Sequence, residues 1–296
     1  MAILLIHGGA GTFNEAKAES YREGLRRAVD AGYTVLTAGG TALDAVITAV
    51  TSMEANPEAF NAGVGGAMTR TGEVELDACV MLSDGSAGAV GGVRNSRNPI
   101  RLADLVRTTT PHVLLVGEGA EALETDPVDN EALKSPRSRV EFDRWLASNG
   151  PPSGSGTVGA VALADDGTLA AATSTGGIVG QYSGRIGDTP LPGAGTWADA
   201  NVAVSGTGKG EAFIRSVACK SLADELRHGA SLSDALTTSL AGLVTAGGTG
   251  GFIVVTADGR VGYGFNTPAM AYGVRAPGVT EHDLTQDTGV HVLTTG

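Results

Sequence analysis

Residues 150–163 read Gly-Pro-Pro-Ser-Gly-Ser-Gly-Thr-Val-Gly-Ala-Val-Ala-Leu, and the pattern of the chain changes sharply within them. The first seven are glycine, proline and serine, a composition typical of a linker. The apolar run after them predicts a buried strand that begins at Thr157. A threonine at the start of a strand is most often an ordinary strand residue. A second interpretation is that the chain is cut before Thr157, so that one residue carries both a nucleophilic hydroxyl and a free α-amine.

The chemistry of the Gly156–Thr157 bond suits such a cut. An α-amine has a reference pKa of about 7.7–8.0, so near neutral pH part of it is free to take the proton of the threonine hydroxyl. Gly156 lacks a Cβ and reaches the backbone conformations that attack of this hydroxyl on the preceding carbonyl requires. Thr157 is therefore a candidate nucleophile, and the Gly156–Thr157 bond is a candidate cleavage site.

The remainder of the chain predicts helices and strands that come in clusters rather than in strict alternation, which favours an α+β fold. A tight glycine loop is predicted at 7–12 and a glycine- and proline-rich loop at 176–199. The predicted strands are 3–6, 67–69, 73–81, 87–93, 112–116, 157–163, 168–175, 202–205, 252–256 and 261–265. The predicted helices begin at a capping box of Ser20 and Glu23, run from Thr41 to about Glu54, lie near 100–108, and cover 211–227 and 231–246.

The composition excludes several classes of protein. With 296 residues the chain accommodates one large α/β or α+β domain or two smaller domains. Its net charge of −12 argues against binding to nucleic acid, and no apolar run reaches the ~18–20 residues that span a membrane. Two cysteines cannot form a disulfide framework or a four-thiolate zinc site. Residues 1–7 predict a strand rather than a signal peptide, and a cytoplasmic location is expected.

A second glycine-rich stretch, Gly206-Thr-Gly-Lys-Gly210, follows the strand predicted at 202–205 and precedes a predicted helix. Neither the dinucleotide fingerprint nor the Walker A pattern is satisfied, because the third glycine comes one residue early and Gly210 follows Lys209. Three interpretations stay open for this stretch alone: a strand-to-helix turn, a nucleotide site, or backbone N–H groups that stabilise a negative charge.

Short motifs stand in a fixed order along nearly the whole chain, and together they are specific. The motifs are Ile6-His-Gly-Gly-Ala-Gly11, Ala42-Leu-Asp-Ala-Val46, Phe60-Asn-Ala-Gly63, Glu75-Leu-Asp-Ala78, Arg97-Asn-Pro99, Gly117-Glu-Gly119, Gly156-Thr-Val-Gly-Ala-Val-Ala162, Ala172-Thr-Ser-Thr-Gly-Gly177, Gly184-Arg-Ile-Gly-Asp-Thr-Pro190, Gly193-Ala-Gly195, Gly206-Thr-Gly208 and Phe265-Asn-Thr267. This ordered set resembles the plant-type asparaginases, also called isoaspartyl peptidases, of the N-terminal-nucleophile hydrolase superfamily.

The resemblance implies a single domain over 1–296 with a four-layer αββα sandwich. It also implies self-cleavage into an α chain, 1–156, with a mobile linker at about 124–156, and a β chain, 157–296. Two such αβ units usually form a homodimer.

The resemblance further assigns roles to individual residues. Thr157 is the nucleophile. Thr175 lies beside the nucleophile and forms hydrogen bonds to the reacting groups, and Asn61 lies near the nucleophile. Thr207 and Gly208 match the oxyanion hole. Arg185 and Asp188 match the groups that hold the substrate's α-carboxylate and α-amine, and the backbone of Gly210 helps to receive the amine. The types of Arg185 and Asp188 agree with these roles, since an arginine fork suits a carboxylate and an aspartate suits an ammonium.

The loop around 53–64 resembles the family's sodium-binding loop, so a structural sodium ion is expected, and no cofactor for catalysis. The expected ligands are the main-chain carbonyls of Met53, Glu54, Asn56, Phe60, Ala62 and Val64. This chain carries one additional residue near Asn56, and Gln181 stands where relatives usually have a lysine.

The expected activity is the hydrolysis of small substrates, L-asparagine and β-aspartyl dipeptides, through an ester on Thr157. Three alternatives remain. Glycosylasparaginases carry Asn-Thr-Trp-Pro where this chain has His7-Gly-Gly-Ala10, and they carry aspartate before the nucleophile. Threonine-aspartase-type proteases normally have longer insertions. A latent binding protein would retain the fold but never cut itself.

Overall fold

The computed structural model describes residues 1–13, 18–148, 150 and 156–295. They contain helices and two sheets. The strands are β1 (Ile3–Gly11), β2 (Leu76–Leu82), β3 (Ala87–Val93), β4 (Leu114–Val116), β5 (Val158–Leu163), β6 (Leu169–Thr175), β7 (Thr196–Ala198), β8 (Val202–Gly208), β9 (Gly250–Thr256), β10 (Val261–Phe265), β11 (Ala269–Ala276), β12 (Val279–Thr285) and β13 (Gly289–Leu293). The helices are α1 (Ala18–Thr37), α2 (Ala42–Glu54), α3 (Pro99–Thr109), α4 (Glu118–Glu121), α5 (Pro136–Ser148), α6 (Gly210–Ser216), α7 (Ala218–Arg227) and α8 (Leu232–Thr245).

The strand that follows Thr157 lies in the middle of the larger sheet. This sheet has eight strands in the order β12-β11-β1-β5-β6-β2-β3-β4, and the smaller has five in the order β13-β10-β9-β8-β7. The named pairs are antiparallel apart from β3 and β4. Because β5 pairs with β1 on one side and β6 on the other, residues from both neighbours lie next to the start of β5.

Alternate residues of β1 explain why its apolar run is continuous. Leu4 and Ile6 belong to a buried cluster with α1, α2 and α3, whereas Ile3 and Leu5 belong to a cluster that combines side chains of both sheets. Successive side chains of a strand point to opposite faces, so a strand covered on both faces is apolar at every position. A third cluster packs α6, α7 and α8 against the smaller sheet.

Several sequence predictions are confirmed. Thr41 caps α2, since its side chain accepts a hydrogen bond from the Asp44 N–H (3.1 Å). The helices predicted near 100–108 and at 231–246 are α3 and α8, and the two predicted hairpins are β5–β6 and β9–β10.

Two predicted helix boundaries were wrong. Ser20 does not cap α1, which is already helical at Ala18, and the Glu23 carboxylate pairs with Arg26 and Arg27 instead. The helix expected at 211–227 is divided into α6 and α7 at Val217, where φ is +47°. The division lets the first N–H groups of α7 donate hydrogen bonds to carbonyls of the loop at 176–199. A continuous helix would use these N–H groups within itself.

Four further differences concern strands and the expected linker. The expected glycine loop at 7–12 is largely the end of β1, which continues through a bulge between His7 and Ala10. Residues 67–69 contribute only an isolated bridge, Met68 with Val74, and the loop expected at 176–199 includes β7. Within the linker expected at 124–156, residues 130–133 form a 3₁₀ turn and 136–148 form α5, while 149 and 151–155 lie outside the described residues. Within the described ranges, no helix is long and apolar enough to cross a membrane.

Candidate active site

Thr157 lies immediately before β5, half-buried, with its hydroxyl directed at the end of β6. Its Oγ1 donates a hydrogen bond to Thr175 Oγ1 at 3.0 Å. The buried Thr175 hydroxyl also accepts from the Gly177 N–H (3.1 Å). The pairing of Val158 with Ser174 in adjacent strands brings the two threonines together, while their roles in catalysis stay a prediction.

Asn61 holds the carbonyl group that precedes Thr157. The Asn61 N–H donates to Gly156 O at 3.2 Å, and Gly156 has a φ of +120°, which favours glycine. The buried Asn61 side chain is fixed by a bond from its Nδ2 to Gly177 O (2.8 Å) and a bond to its Oδ1 from the Ala67 N–H (2.7 Å). An attack on this carbonyl would make its oxygen negative, and that oxygen already has a donor.

The bulge in β1 places its backbone against Gly156. Gly9 has a φ of +110°, and a Cβ there would lie 2.7 Å from Gly156 Cα. The space that a Cβ on Gly9 would need is therefore occupied by the backbone of Gly156 at the candidate cleavage site.

A buried polar network that sequence reasoning missed holds the carbonyl of Thr157. His7 Nδ1 lies 3.1 Å from Thr157 O, and burial lowers the pKa of His7 to about 3, so the ring is neutral. Since a carbonyl only accepts, Nδ1 carries the proton, and Nε2 accepts from Ser205 Oγ at 2.9 Å. Ser205 Oγ in turn lies 2.7 Å from Thr173 Oγ1, which also accepts from Thr196 Oγ1.

The network joins the two sheets, because His7 is in β1 and Ser205 is in β8. A Cβ on Gly159 would overlap both His7 Nε2 and Ser205 Oγ, so this bond requires glycine at the start of β5. A histidine within the apolar run of 3–7 is the signal that could have identified it.

Arg185 lies in the loop between β6 and β7, partly buried among polar groups. Its Nε and Nη2 donate to Glu211 Oε1 at 3.2 and 3.1 Å, and its Nη1 donates to Gln181 Oε1 at 3.4 Å. Glu211 belongs to α6, so the guanidinium connects this loop with the helix after the Gly206–Gly210 stretch.

Asp188 is buried near Arg185, and its Oδ2 has no hydrogen-bond partner among the residues that the structure describes. Burial raises the pKa of its carboxyl to about 7, and the Arg185 charge limits the rise. A buried acceptor without a donor costs free energy of folding. A cationic ligand at this position would supply the missing donor.

Gly210 leaves a gap beside these two groups. A Cβ on Gly210 would lie 2.6 Å from Asp188 Oδ1 and 2.8 Å from Arg185 Nη2. The structure thus brings Arg185, Asp188 and Gly210 together, and their roles in substrate binding stay a prediction.

Thr207 and Gly208 end β8 and lead into α6. Thr207 is buried, and Gly208 has a φ of +148° with no room for a Cβ beside Thr249 O. The glycine-rich stretch is thus a strand-to-helix turn, and its use as an oxyanion hole stays a prediction.

Two acidic residues of the Glu75-Leu-Asp-Ala78 motif, to which the sequence assigned no role, anchor the loop on both sides of Arg185. Asp77 accepts from the Gly187 and Gly92 N–H groups, both at 2.9 Å, and Glu75 accepts from the Gly184 N–H at 2.7 Å. Burial raises the pKa of Asp77 to about 6. Acidic residues inside the otherwise apolar run at 73–81 were the available signal.

The loop expected to bind sodium makes bonds within the chain through several of its expected ligands. The carbonyls of Met53, Glu54 and Asn56 accept from loop N–H groups (3.0, 3.1 and 3.2 Å), and Phe60 O accepts from Arg137. The sodium ligands, including Ala62 and Val64, stay a prediction.

The Glu54 side chain lies buried beneath the start of this loop. Its Oε1 accepts from Ser174 Oγ (2.7 Å) and the Ile100 N–H (3.0 Å). Burial raises its pKa to about 8, so the carboxyl is largely neutral at pH 7. Among the residues described, no three His, Cys, Asp or Glu side chains are grouped so that they could hold a metal ion.

Comparison with known proteins finds relatives that match nearly the whole chain. A family model described as asparaginase matches residues 1–284. The isoaspartyl peptidase of Salmonella typhimurium is 43% identical over 297 residues, covering 91% of this chain and 93% of the relative. The isoaspartyl peptidase/L-asparaginase of Xenopus laevis is 41% identical, covering 91% of each chain. The plant-type L-asparaginase of Thermococcus kodakarensis is 40% identical, covering 95% of this chain and 98% of the relative. A match over nearly the whole length, with identities at this level, places the chain in the asparaginase family.

Proposed function

We propose that the protein cuts itself between Gly156 and Thr157 and then hydrolyses β-aspartyl dipeptides and L-asparagine. The observation that carries this proposal is the Thr157 hydroxyl, 3.0 Å from Thr175 Oγ1 and adjacent to a carbonyl that Asn61 holds. The names of the relatives, isoaspartyl peptidase and plant-type L-asparaginase, agree with it.

Self-cleavage would begin with attack of Thr157 Oγ1 on the Gly156 carbonyl carbon. The new C–O bond replaces the C–N bond, and the hydroxyl proton goes to the released amine of Thr157. The Asn61 N–H would stabilise the oxygen while it is negative. Water then hydrolyses the resulting ester, which gives chains 1–156 and 157–296.

Hydrolysis would use the same hydroxyl, with the new α-amine of Thr157 as its base. Attack on the side-chain amide or β-peptide carbonyl releases ammonia or an amino acid, and water then hydrolyses the β-aspartyl ester. Donors at Thr207 and Gly208 would stabilise the tetrahedral intermediate, and the loss of one such donor typically costs about 10²–10³ in rate.

Recognition would rest on the aspartyl half that both substrates share. The substrate α-carboxylate would compete with Glu211 for the Arg185 guanidinium, and the α-ammonium would donate to the unpartnered Asp188 Oδ2. One site can therefore accept different leaving groups.

A methyl group at position 210 tests this arrangement. Gly210→Ala is expected to raise KM for a β-aspartyl dipeptide about 10- to 100-fold, because the added Cβ displaces Asp188 and Arg185 from the substrate. The rate of self-cleavage should change little, since it needs neither group. The matched control is Gly242→Ala in α8, where a Cβ meets no atom within 4 Å. Equal KM values in the two variants would contradict the assignment.

We further propose that the chain is one domain in a four-layer αββα sandwich and that two αβ units form a homodimer. We propose that the protein works in the cytoplasm without nucleic-acid or membrane partners. The layering is supported by the three core clusters, one between the sheets and one between each sheet and its helices. The cytoplasm is a reducing compartment, and this location is supported by Cys79 and Cys219, which are buried free thiols.

The proposed function is tested by the intact mass of the protein under denaturing conditions, followed over days beside an assay for aspartate release. We expect masses for 1–156 and 157–296, and turnover of β-aspartyl dipeptides. An unchanging single mass without turnover at high dipeptide concentration would identify a latent binding protein. Cleavage of the sugar–asparagine linkage alone would identify a glycosylasparaginase-like enzyme.

A further inference from the structure

Arg137 is a buried cation whose side chain lies within a cluster of main-chain carbonyls. It belongs to the first turn of α5, and its side chain is only 7% exposed. Its Nε donates to Pro57 O at 2.6 Å, and its Nη2 donates to Phe60 O and Gly65 O, both at 2.7 Å. Its Nη1 is held by both oxygens of Glu141, at 3.1 and 2.9 Å.

These contacts use N–H groups on all three nitrogens of the guanidinium. Arginine has five such donors in a fixed planar fork, and a lysine in its place could not reach the same set of acceptors. The segment before α5 adds a fourth bond to the same loop, since the Gly65 N–H donates to Leu133 O at 2.7 Å. The loop 57–65 is therefore held by the end of the α chain that precedes the cleavage site.

One of these carbonyls belongs to the peptide that holds the scissile group. Phe60 O and the Asn61 N–H are the two ends of a single peptide unit. Arg137 donates to the oxygen, and the N–H donates to Gly156 O at 3.2 Å. Hydrogen bonds in such a chain polarise one another, so a charged donor at Phe60 O strengthens the donor that faces the scissile carbonyl.

We propose that Arg137 is a positioning residue for self-cleavage, and that its guanidinium serves as the cation of the loop 57–65 in place of a sodium ion. The inference rests on the proposed function, because it concerns the same cleavage. Phe60 O is one of the six carbonyls expected to bind sodium. Two cations that share one carbonyl oxygen repel each other, and burial strengthens the repulsion.

The first test compares Arg137→Ala with Arg144→Ala, which removes an exposed arginine from the same helix. Arg137→Ala is expected to slow self-cleavage about 10- to 100-fold, and Arg144→Ala should match the wild type. Guanidinium chloride at a non-denaturing concentration should restore part of the rate to Arg137→Ala, whereas sodium chloride should not. Once the fraction that is cleaved has been purified, its kcat should fall less than the cleavage rate, because the Gly156–Thr157 bond no longer exists.

Arg137→Lys and Arg137→Gln keep the test decisive if the alanine variant fails to fold. Both should cleave slowly, and a cooperative melting transition of each purified variant would show that it is folded. Wild-type rates in either variant, or a slow rate that guanidinium leaves unchanged in Arg137→Ala, would overturn the inference. Absence of cleavage in the wild type would instead refute the proposed function.

The second test addresses the cation. The melting temperature and cleavage rate of the wild type are measured in sodium chloride and in N-methylglucamine chloride at equal ionic strength. We expect equal values in both salts. A melting temperature that is higher in sodium chloride than in N-methylglucamine chloride would show that sodium binds to the native state. That result would overturn the inference that Arg137 replaces the sodium ion.

Discussion

Thr157→Ala is expected to give a single uncut chain of 296 residues and no measurable hydrolysis of β-aspartyl dipeptides. One hydroxyl serves both reactions, and removal of a nucleophile typically lowers kcat by at least about 10⁴-fold. The site should remain folded, because the hydroxyl makes one bond to Thr175 and the Thr157 carbonyl still accepts from His7. Intact mass under denaturing conditions and aspartate release measure the two effects.

Thr157→Ser is the matched control for this prediction. It retains a hydroxyl at the same position and loses only the methyl group, so it should cut itself and turn over substrate at reduced rates. Two chains from Thr157→Ala, divided at residue 156, would refute the nucleophile assignment. A serine variant as inert as the alanine variant would show that the hydroxyl alone does not suffice and that the site also requires the methyl group.

Local patterns were enough to predict elements whose ends depend on nearby residues. α2 begins at Thr41 because a threonine side chain caps it, and β5 and β6 are joined by an Asp-Gly turn. The break at Val217 and the continuation of β1 past His7 depend instead on bonds to distant parts of the chain. Propensity and periodicity contain no information about such bonds.

The residues of the candidate site also differ in whether local sequence could predict them. Chemistry alone made Thr157 a candidate nucleophile, and the remaining roles came from the resemblance. The positioning groups were missed because their partners are far away in sequence: His7 and Ser205 are 198 residues apart, and Arg137 and Phe60 are 77 apart. His7 and Asp77 were visible as polar residues in apolar runs, whereas Arg137 in its polar segment was not distinguishable from a surface arginine.

Asp188→Asn is expected to lower kcat/KM for β-aspartyl dipeptides about 10²–10³-fold. The carboxylate is the buried partner proposed for the substrate ammonium, and removing one member of a buried charge pair costs several kcal/mol. In the wild type kcat/KM should rise with pH up to about 7, where the free carboxyl ionises. The asparagine variant should lose this component and keep the one that arises from the Thr157 α-amine.

The same substitution should stabilise the protein above neutral pH. The pKa of Asp188 is raised from 3.8 to about 7 in the folded chain, so the unfolded chain binds fewer protons between these values. Stability therefore falls by about 1.4 kcal/mol for each pH unit within this window, and nearly the full cost is present at pH 8. Asparagine has the same shape without the charge, so Asp188→Asn should melt several degrees higher than the wild type at pH 8.

The comparison at pH 4 separates this effect from a general change in packing. There the carboxyl of the folded wild type is protonated and most of the cost is absent, so the two proteins should melt at similar temperatures. Asp143→Asn, at an exposed position of α5, is the control and should differ little from the wild type at either pH. A variant that binds substrate normally would refute the role in recognition. A variant that is no more stable at pH 8 than at pH 4, relative to the wild type, would show that the native carboxylate is satisfied without a ligand.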